Sequence, residues 1–240
     1  MTVPRKAIIA ITSHSAPFYS DGRVNGMFYT EVAHPYQALT KAGFEVDLAS
    51  ETGSFVIDDY SLSEEFLNEE DAKVLKDPDH PFSVLLKSGV YKASELDTGG
   101  YGMFFASAGF ASVYDYPNAR TLQAIAEDVW ARGGVLAAVC HGGAIFPGVR
   151  DVASGTSVIA GKKVTGFSTE GDRIAGVLDQ IHEDGLKTTE ESAVEAGADY
   201  VAPPEPFGPF SISSGRVVTG ANPASAHITA TAAIEAFEKL

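Results

Sequence analysis

The run Gly134-Val135-Leu136-Ala137-Ala138-Val139 is small or apolar at every position. A strand with both faces buried reads this way, so the chain needs cover on both sides of a sheet. Cys140, His141, Gly142 and Gly143 follow, and the pattern then lengthens into a helical one at Ala144, Ile145 and Phe146. Ala138-Val139-Cys140-His141-Gly142 has the outline of a nucleophile elbow, with Ala in place of its first Gly. Small flanking residues permit the strained turn that pushes the central side chain out of the sheet. The helix expected after the turn aims its N–H groups at the sulfur, which favours thiolate over thiol.

Strand-like and helical runs alternate along the chain, which argues for βαβ units and an α/β fold with a mostly parallel sheet. Strands are expected at 7–12, 44–50, 101–106 and 134–139, with shorter pieces near 163–166, 210–212 and 216–219. A loop with Pro17, Ser20, Asp21 and Gly22 leads into a helix at about 27–42, where Pro35 predicts a kink or break. Further helices are expected at 118–132, near 171–182, and after Asn222 and Pro223, an N-cap and first-turn pair. Residues 55–96 break the rhythm as an acidic helical excursion, with helical patterns at 61–75 and 81–87, packed beside the sheet and roofing the pocket. The whole of 1–240 reads as one domain, because the excursion offers too little core for a second.

A net charge of −15 speaks against nucleic acid or an anionic membrane surface as a partner. Cys140 is the only cysteine in 240 residues, so there is no internal disulfide, and a reducing compartment fits. The first apolar run, 7–11, is too short for a signal core or a membrane span. A cytoplasmic location is the expectation, with a nuclear pool as a second option.

The Cys-His-Gly-Gly turn at a strand end raises Cys140 from an ordinary buried small hydrophobe to a candidate nucleophile. His141 follows it directly and is the candidate base, provided the elbow turns both side chains toward one cleft. A carboxylate must then hold the ring, and Glu170 and Asp172, in a loop after an expected strand, are the candidates. Either is equally well explained as an acid at a helix start. Glu31 lies among apolar neighbours, where a carboxyl acquires a raised pKa and moves protons. On the residues alone the simpler expectation is a glutamate that points to water. Gly109 ends the third strand, and its N–H with that of His141 would make an oxyanion hole. No histidine or acidic residues show zinc or EF-hand spacing, and no metal is expected.

With these residues in hand, the sequence resembles the ThiJ/PfpI superfamily. Within it, the chain is similar to the fungal-type glyoxalase III (D-lactate dehydratase) group, also described as 31-kDa heat-shock-protein chaperones. The stretches that carry the resemblance run nearly end to end. They include Phe18-Tyr19-Ser20-Asp21-Gly22, Ser50-Glu51-Thr52-Gly53, Phe104-Phe105-Ala106-Ser107-Ala108-Gly109, Ala137-Ala138-Val139-Cys140-His141-Gly142 and Asn222-Pro223-Ala224-Ser225-Ala226-His227. The resemblance implies a flavodoxin-like sheet with helices on both faces, a nucleophilic Cys140, a base at His141, and Glu31 touching the sulfur. Counting from Gly166-Phe167, it puts the third triad member on Asp172. Three departures stand out: Asp172 where many relatives have Glu, Gly143 where they have Pro, and Phe110 where they tend to have His.

The implied activity is that of a cofactor-independent lyase, a glutathione-independent glyoxalase. It would convert methylglyoxal or a similar 2-oxoaldehyde with water to D-lactate or another 2-hydroxy acid through a Cys140 hemithioacetal. Two other readings keep the same residues. One is acyl or amide hydrolysis, including protein or peptide deglycation. The other is a stress-response holdase or redox sensor with misfolded or glycated proteins as partners. The family also suggests a homodimer.

Overall fold

In a computed structural model, described for residues 3–19 and 21–240, the chain builds two sheets of unequal size. Ser20, which the sequence places in the loop after the first strand, lies outside the described residues. Strand β1 (Lys6–Ala10) is followed by α1 (Tyr29–Lys41) and β2 (Glu45–Ser50). The excursion then supplies α2 (Glu69–Lys76), α3 (Pro81–Ser88) and β3 (Val90–Lys92). Next come β4 (Met103–Ala106), α4 (Ser112–Asp115), α5 (Arg120–Ala131) and β5 (Val135–Val139). After the elbow lie β6 (Lys163–Val164), α6 (Thr169–Ile174), α7 (Leu178–Glu183), α8 (Thr189–Glu195) and β7 (Asp199–Tyr200). The chain closes with β8 (Ser211–Ser214), β9 (Val217–Gly220) and α9 (Ala226–Phe237).

The large sheet has the order β3-β2-β1-β4-β5-β9-β8, parallel except for the β8–β9 pair at one edge. The strands are apolar on both faces because both are covered. Ile9, Phe105, Ala137 and Val139 pack on one face with Val32 and Leu39 of α1 and Ala230 and Ala233 of α9. Ile8, Phe104, Leu136 and Ala138 pack on the other with Leu122, Ile125 and Val129 of α5. This two-sided, mostly parallel α/β sheet brings the carboxyl ends of β1, β4 and β5 side by side, where loops line a ligand crevice.

Several local expectations are corrected. The turn after Cys140 continues as 3₁₀ helix over Cys140–Gly148, not as an α-helix, because Gly142, Gly143 and Pro147 all oppose a regular one. The expected helix near 171–182 is two short ones, parted at Gly176 with φ of 73°. Pro35, by contrast, sits within an unbroken α1. The excursion contributes an edge strand, β3, as well as helices. The piece near 163–166 pairs with β7 in a separate two-stranded sheet.

Gly109 fixes the approach of the loop after β4. Its φ is +150°, and a Cβ there would lie 2.0 Å from the carbonyl oxygen of Gly26. Gly109→Ala adds strain and overpacking at one buried point, and it is expected to cost more than about 3 kcal/mol of stability. Chemical denaturation of the variant against the parent measures this directly.

Candidate active site

Cys140 stands at the tip of β5 with φ of 56°, the one non-glycine residue with positive φ among the described residues. A strained backbone of this kind persists only where its surroundings hold it. Here Gly142 packs so closely under β4 that a Cβ would meet the Ala106 carbonyl oxygen at 2.4 Å. The turn aims the sulfur into a cavity of about 650 Å³ whose wall includes Gly109, Phe110, His141, Phe167 and Asn222.

His141 lies beside the thiol, with Nδ1 3.3 Å from Sγ. Its other nitrogen, Nε2, is 2.9 Å from Oδ1 of Asp172. The carboxylate accepts from Nε2–H, which leaves the Nδ1 lone pair facing the thiol. The rings of Phe110 and Phe167 flank the imidazole, at 4.8 and 4.7 Å between centroids. Asp172 is positioned by the cap of α6: the Ser168 hydroxyl accepts from Gly171 N–H at 3.0 Å, and Phe167 N–H donates to the Cys140 carbonyl at 3.2 Å.

Helical phase separates the two candidate acids. Residues two apart on a helix point to nearly opposite sides. Asp172 is therefore buried against His141, while Glu170 is exposed and accepts from Arg173 Nε at 2.8 Å. The Arg173 guanidinium holds the Glu170 carboxyl below its ordinary value.

Glu31 is buried at 0% exposure, not turned to water as the residues alone suggest. Phe28 N–H donates to the Ala108 carbonyl at 2.7 Å and Tyr29 N–H to the Ser61 hydroxyl at 3.1 Å, which pins the start of α1 against the end of β4. Neither Glu31 oxygen has a well-formed hydrogen bond, yet the carboxyl lies close enough to the Cys140 thiol for the two to influence each other. Burial, reinforced by the nearby Asp58 carboxylate, pushes the Glu31 pKa up to about 8, against a smaller opposing pull from the thiol. Proximity to the helix N-terminus favours the anion, but desolvation wins.

The expected thiolate is corrected by the same environment. Burial first, and then the Glu31 carboxylate, push the Cys140 thiol well above its ordinary value, while the His141 backbone N–H acts in the other direction. The short 3₁₀ turn offers no long helix to offset them. The resting group is a neutral thiol with a base at hand.

The structure thus brings Cys140, His141, Glu31 and Asp172 together and places Gly109 on the wall of the same cavity. Sequence reasoning assigned no role to Asp58 or Tyr19, whose side chains meet beside this site at 2.8 Å. Only Tyr19 carried a signal, as part of a stretch shared with relatives. Among the described residues no three His, Cys, Asp or Glu side chains converge in a way that would hold a metal ion, and no helix is long and apolar enough to cross a membrane.

No protein-family model matches the chain. Individual proteins do. The glutathione-independent glyoxalase HSP31 of Saccharomyces cerevisiae is 45% identical over 235 residues, which span 98% of this chain and 99% of that protein. The crystal structure of glyoxalase III from Candida albicans superposes with a TM-score of 0.95 at 45% identity and covers 98% of both chains. The chain belongs to the family of glutathione-independent glyoxalases. A ThiJ/PfpI domain protein from Brachyspira murdochii, at 14% identity and a TM-score of 0.58 over 99% of this chain and 98% of that one, shares the fold alone.

Two of this glyoxalase homologue's departures have visible consequences. Phe110, where the family resemblance implies His, sets an apolar ring against the imidazole at an interplanar angle of 49° and contributes no hydrogen bond to it. Gly143, where relatives have Pro, faces Thr189, whose Cγ2 would lie 3.0 Å from an added Cβ.

Proposed function

We propose that this enzyme is a glutathione-independent glyoxalase that converts methylglyoxal and water to D-lactate without a cofactor. The observation that carries the reading is one connected proton path: Asp172 to His141 to the Cys140 sulfur, with the buried Glu31 beside that sulfur. A small-molecule substrate fits this cavity, whose lining includes Tyr19, Phe28, Tyr60, Phe66, Phe110 and Phe167.

As the sulfur attacks the aldehyde carbon, C1, Nδ1 of His141 takes the thiol proton and passes it to the C1 oxygen, giving a hemithioacetal. His141 then removes the C1 proton while the protonated Glu31 donates to the C2 oxygen, giving an enediol. The imidazolium delivers its proton to C2, and the Glu31 carboxylate takes the proton from the C1 hydroxyl, leaving a thioester of a 2-hydroxy acid. Water, deprotonated by His141, attacks the thioester, and the departing sulfur takes the proton back. A protonated carboxyl at Glu31 is the state this sequence needs at the start, and burial of that carboxyl favours it.

The test is formation of D-lactate from methylglyoxal in buffer free of glutathione. Steady turnover supports the assignment, and none above background overturns it. Preferential turnover of a methylglyoxal-glycated peptide would move the assignment to deglycation. Suppression of client aggregation that survives Cys140→Ala would mark a separate holdase role. The proposal includes a homodimer, which gives a mass in sedimentation of twice the 25.2-kDa chain. It also includes a cytoplasmic location, in keeping with the single free thiol.

Asp172→Asn is expected to lower kcat about 100-fold, because an uncharged amide neither fixes the tautomer nor stabilises the imidazolium. Glu170→Gln, in an exposed pair with Arg173, is expected to stay within about twofold of the parent. Reversed results in the lactate assay would assign the orienting role to Glu170.

A further inference from the structure

Asp58 is a fully buried carboxylate that the steps above do not use. Its Oδ2 accepts from the Tyr19 hydroxyl at 2.8 Å and from Gly26 N–H at 3.3 Å. Its Oδ1 accepts from the N–H groups of Tyr60 at 2.9 Å and Ser61 at 3.1 Å. Three of the four partners are backbone N–H groups, so Asp58 acts as an acceptor and the Tyr19 proton is committed to it. The Tyr19 ring is fixed by Phe18, Tyr60 and Phe110, at centroid distances of 5.5, 5.4 and 6.1 Å. Tyr19 lines the cavity that holds Cys140 and His141. Burial and the Asp58 charge both hold the phenol in its protonated form.

A phenol whose hydrogen is pinned offers only lone pairs to what lies beside it. Such an oxygen attracts a hydroxyl and repels a carbonyl oxygen. In the glyoxalase reaction, C2 enters as a ketone and leaves as an alcohol, and the enediol between them already carries a C2 hydroxyl. We propose that Tyr19, oriented by Asp58, accepts a hydrogen bond from the C2 hydroxyl of the enediol and of the 2-hydroxyacyl product. Tyr19 is then a substrate-contacting residue and Asp58 a positioning residue. The contact is absent in the ground state and present once the proton has moved, so it raises kcat and leaves KM nearly unchanged. This inference rests on the glyoxalase reading for its catalytic consequence, but the contact itself is a binding property that is measured without turnover.

The experiment is calorimetric titration of the full chain with lactamide and with pyruvamide, neutral amides that differ at C2 as alcohol and ketone. The parent is expected to bind lactamide about threefold to tenfold more tightly, the range one neutral hydrogen bond supplies. Tyr19→Phe is expected to lose that preference and to lower kcat for methylglyoxal by a similar factor, with KM changed less than about twofold. Asp58→Asn keeps the phenol but turns a donor toward it, freeing the Tyr19 hydrogen to face the cavity, so the preference is expected to reverse toward pyruvamide. Equal affinities in the parent, or an unchanged preference in Tyr19→Phe, overturn the proposal. Should Tyr19→Phe fail to fold, the parent and Asp58→Asn still decide, and an unreversed preference in the latter overturns the role of Asp58. A lactamide preference without methylglyoxal turnover supports the contact and removes the glyoxalase assignment instead.

Discussion

Cys140→Ala is expected to reduce glutathione-independent lactate formation by at least about 10⁴-fold, to background. No second cysteine exists in the sequence to replace the sulfur, and water held by His141 has no covalent intermediate to work on. The fold should persist, because Ala preserves the small side chain at the strained turn, and an unchanged circular dichroism spectrum checks this. In the parent, the pH midpoint for iodoacetamide alkylation is expected above that of a free cysteine, since burial and Glu31 hold the thiol up. Activation therefore comes from proton transfer during attack and not from a standing thiolate. A midpoint below the free-cysteine value would show that His141 and the elbow outweigh burial, and would restore the thiolate expected from sequence.

The legible parts of this molecule are those whose cause is local. The strand ending at Val139 was readable because burial on both faces leaves no polar position, and the elbow because small residues flank Cys140, where Gly142 packs against β4. Choosing between Asp172 and Glu170 needed the phase of a six-residue helix, which the resemblance supplied and the residues alone did not. The depth of Glu31 was illegible, because its surroundings come from Ala108, Asp58 and Cys140, none of them near it in sequence. Asp58 was invisible for the same reason, as Tyr19 and Gly26 reach it from 39 and 32 residues away. The strands β3 and β7 are three and two residues long, too short for any alternation to register.

Glu31→Gln is expected to lower kcat about 10³-fold while leaving the fold intact, because Gln keeps the shape and a donor but carries no exchangeable acidic proton. The pH dependence separates this role from simple packing. With its pKa near 8, Glu31 is protonated at neutral pH, so parent kcat should fall as pH rises through about 8, and residual activity of the variant should lack that limb. Stability follows the same sign. A carboxyl whose pKa rises from 4.5 unfolded to about 8 folded binds its proton more tightly in the folded state, so stability is full below 4.5 and declines as pH rises to 8. Glu31 is fully buried, and the loss across that window is on the order of 5 kcal/mol. Gln has nothing to ionise, so Glu31→Gln should gain stability relative to the parent as pH is raised from 5 to 8. The Asp58 and Cys140 groups that face Glu31 are present in both proteins, and the difference between the two melting curves isolates the one carboxyl. Parallel curves across that range, together with near-parental kcat, would make Glu31 a packing residue and leave His141 as the proton carrier.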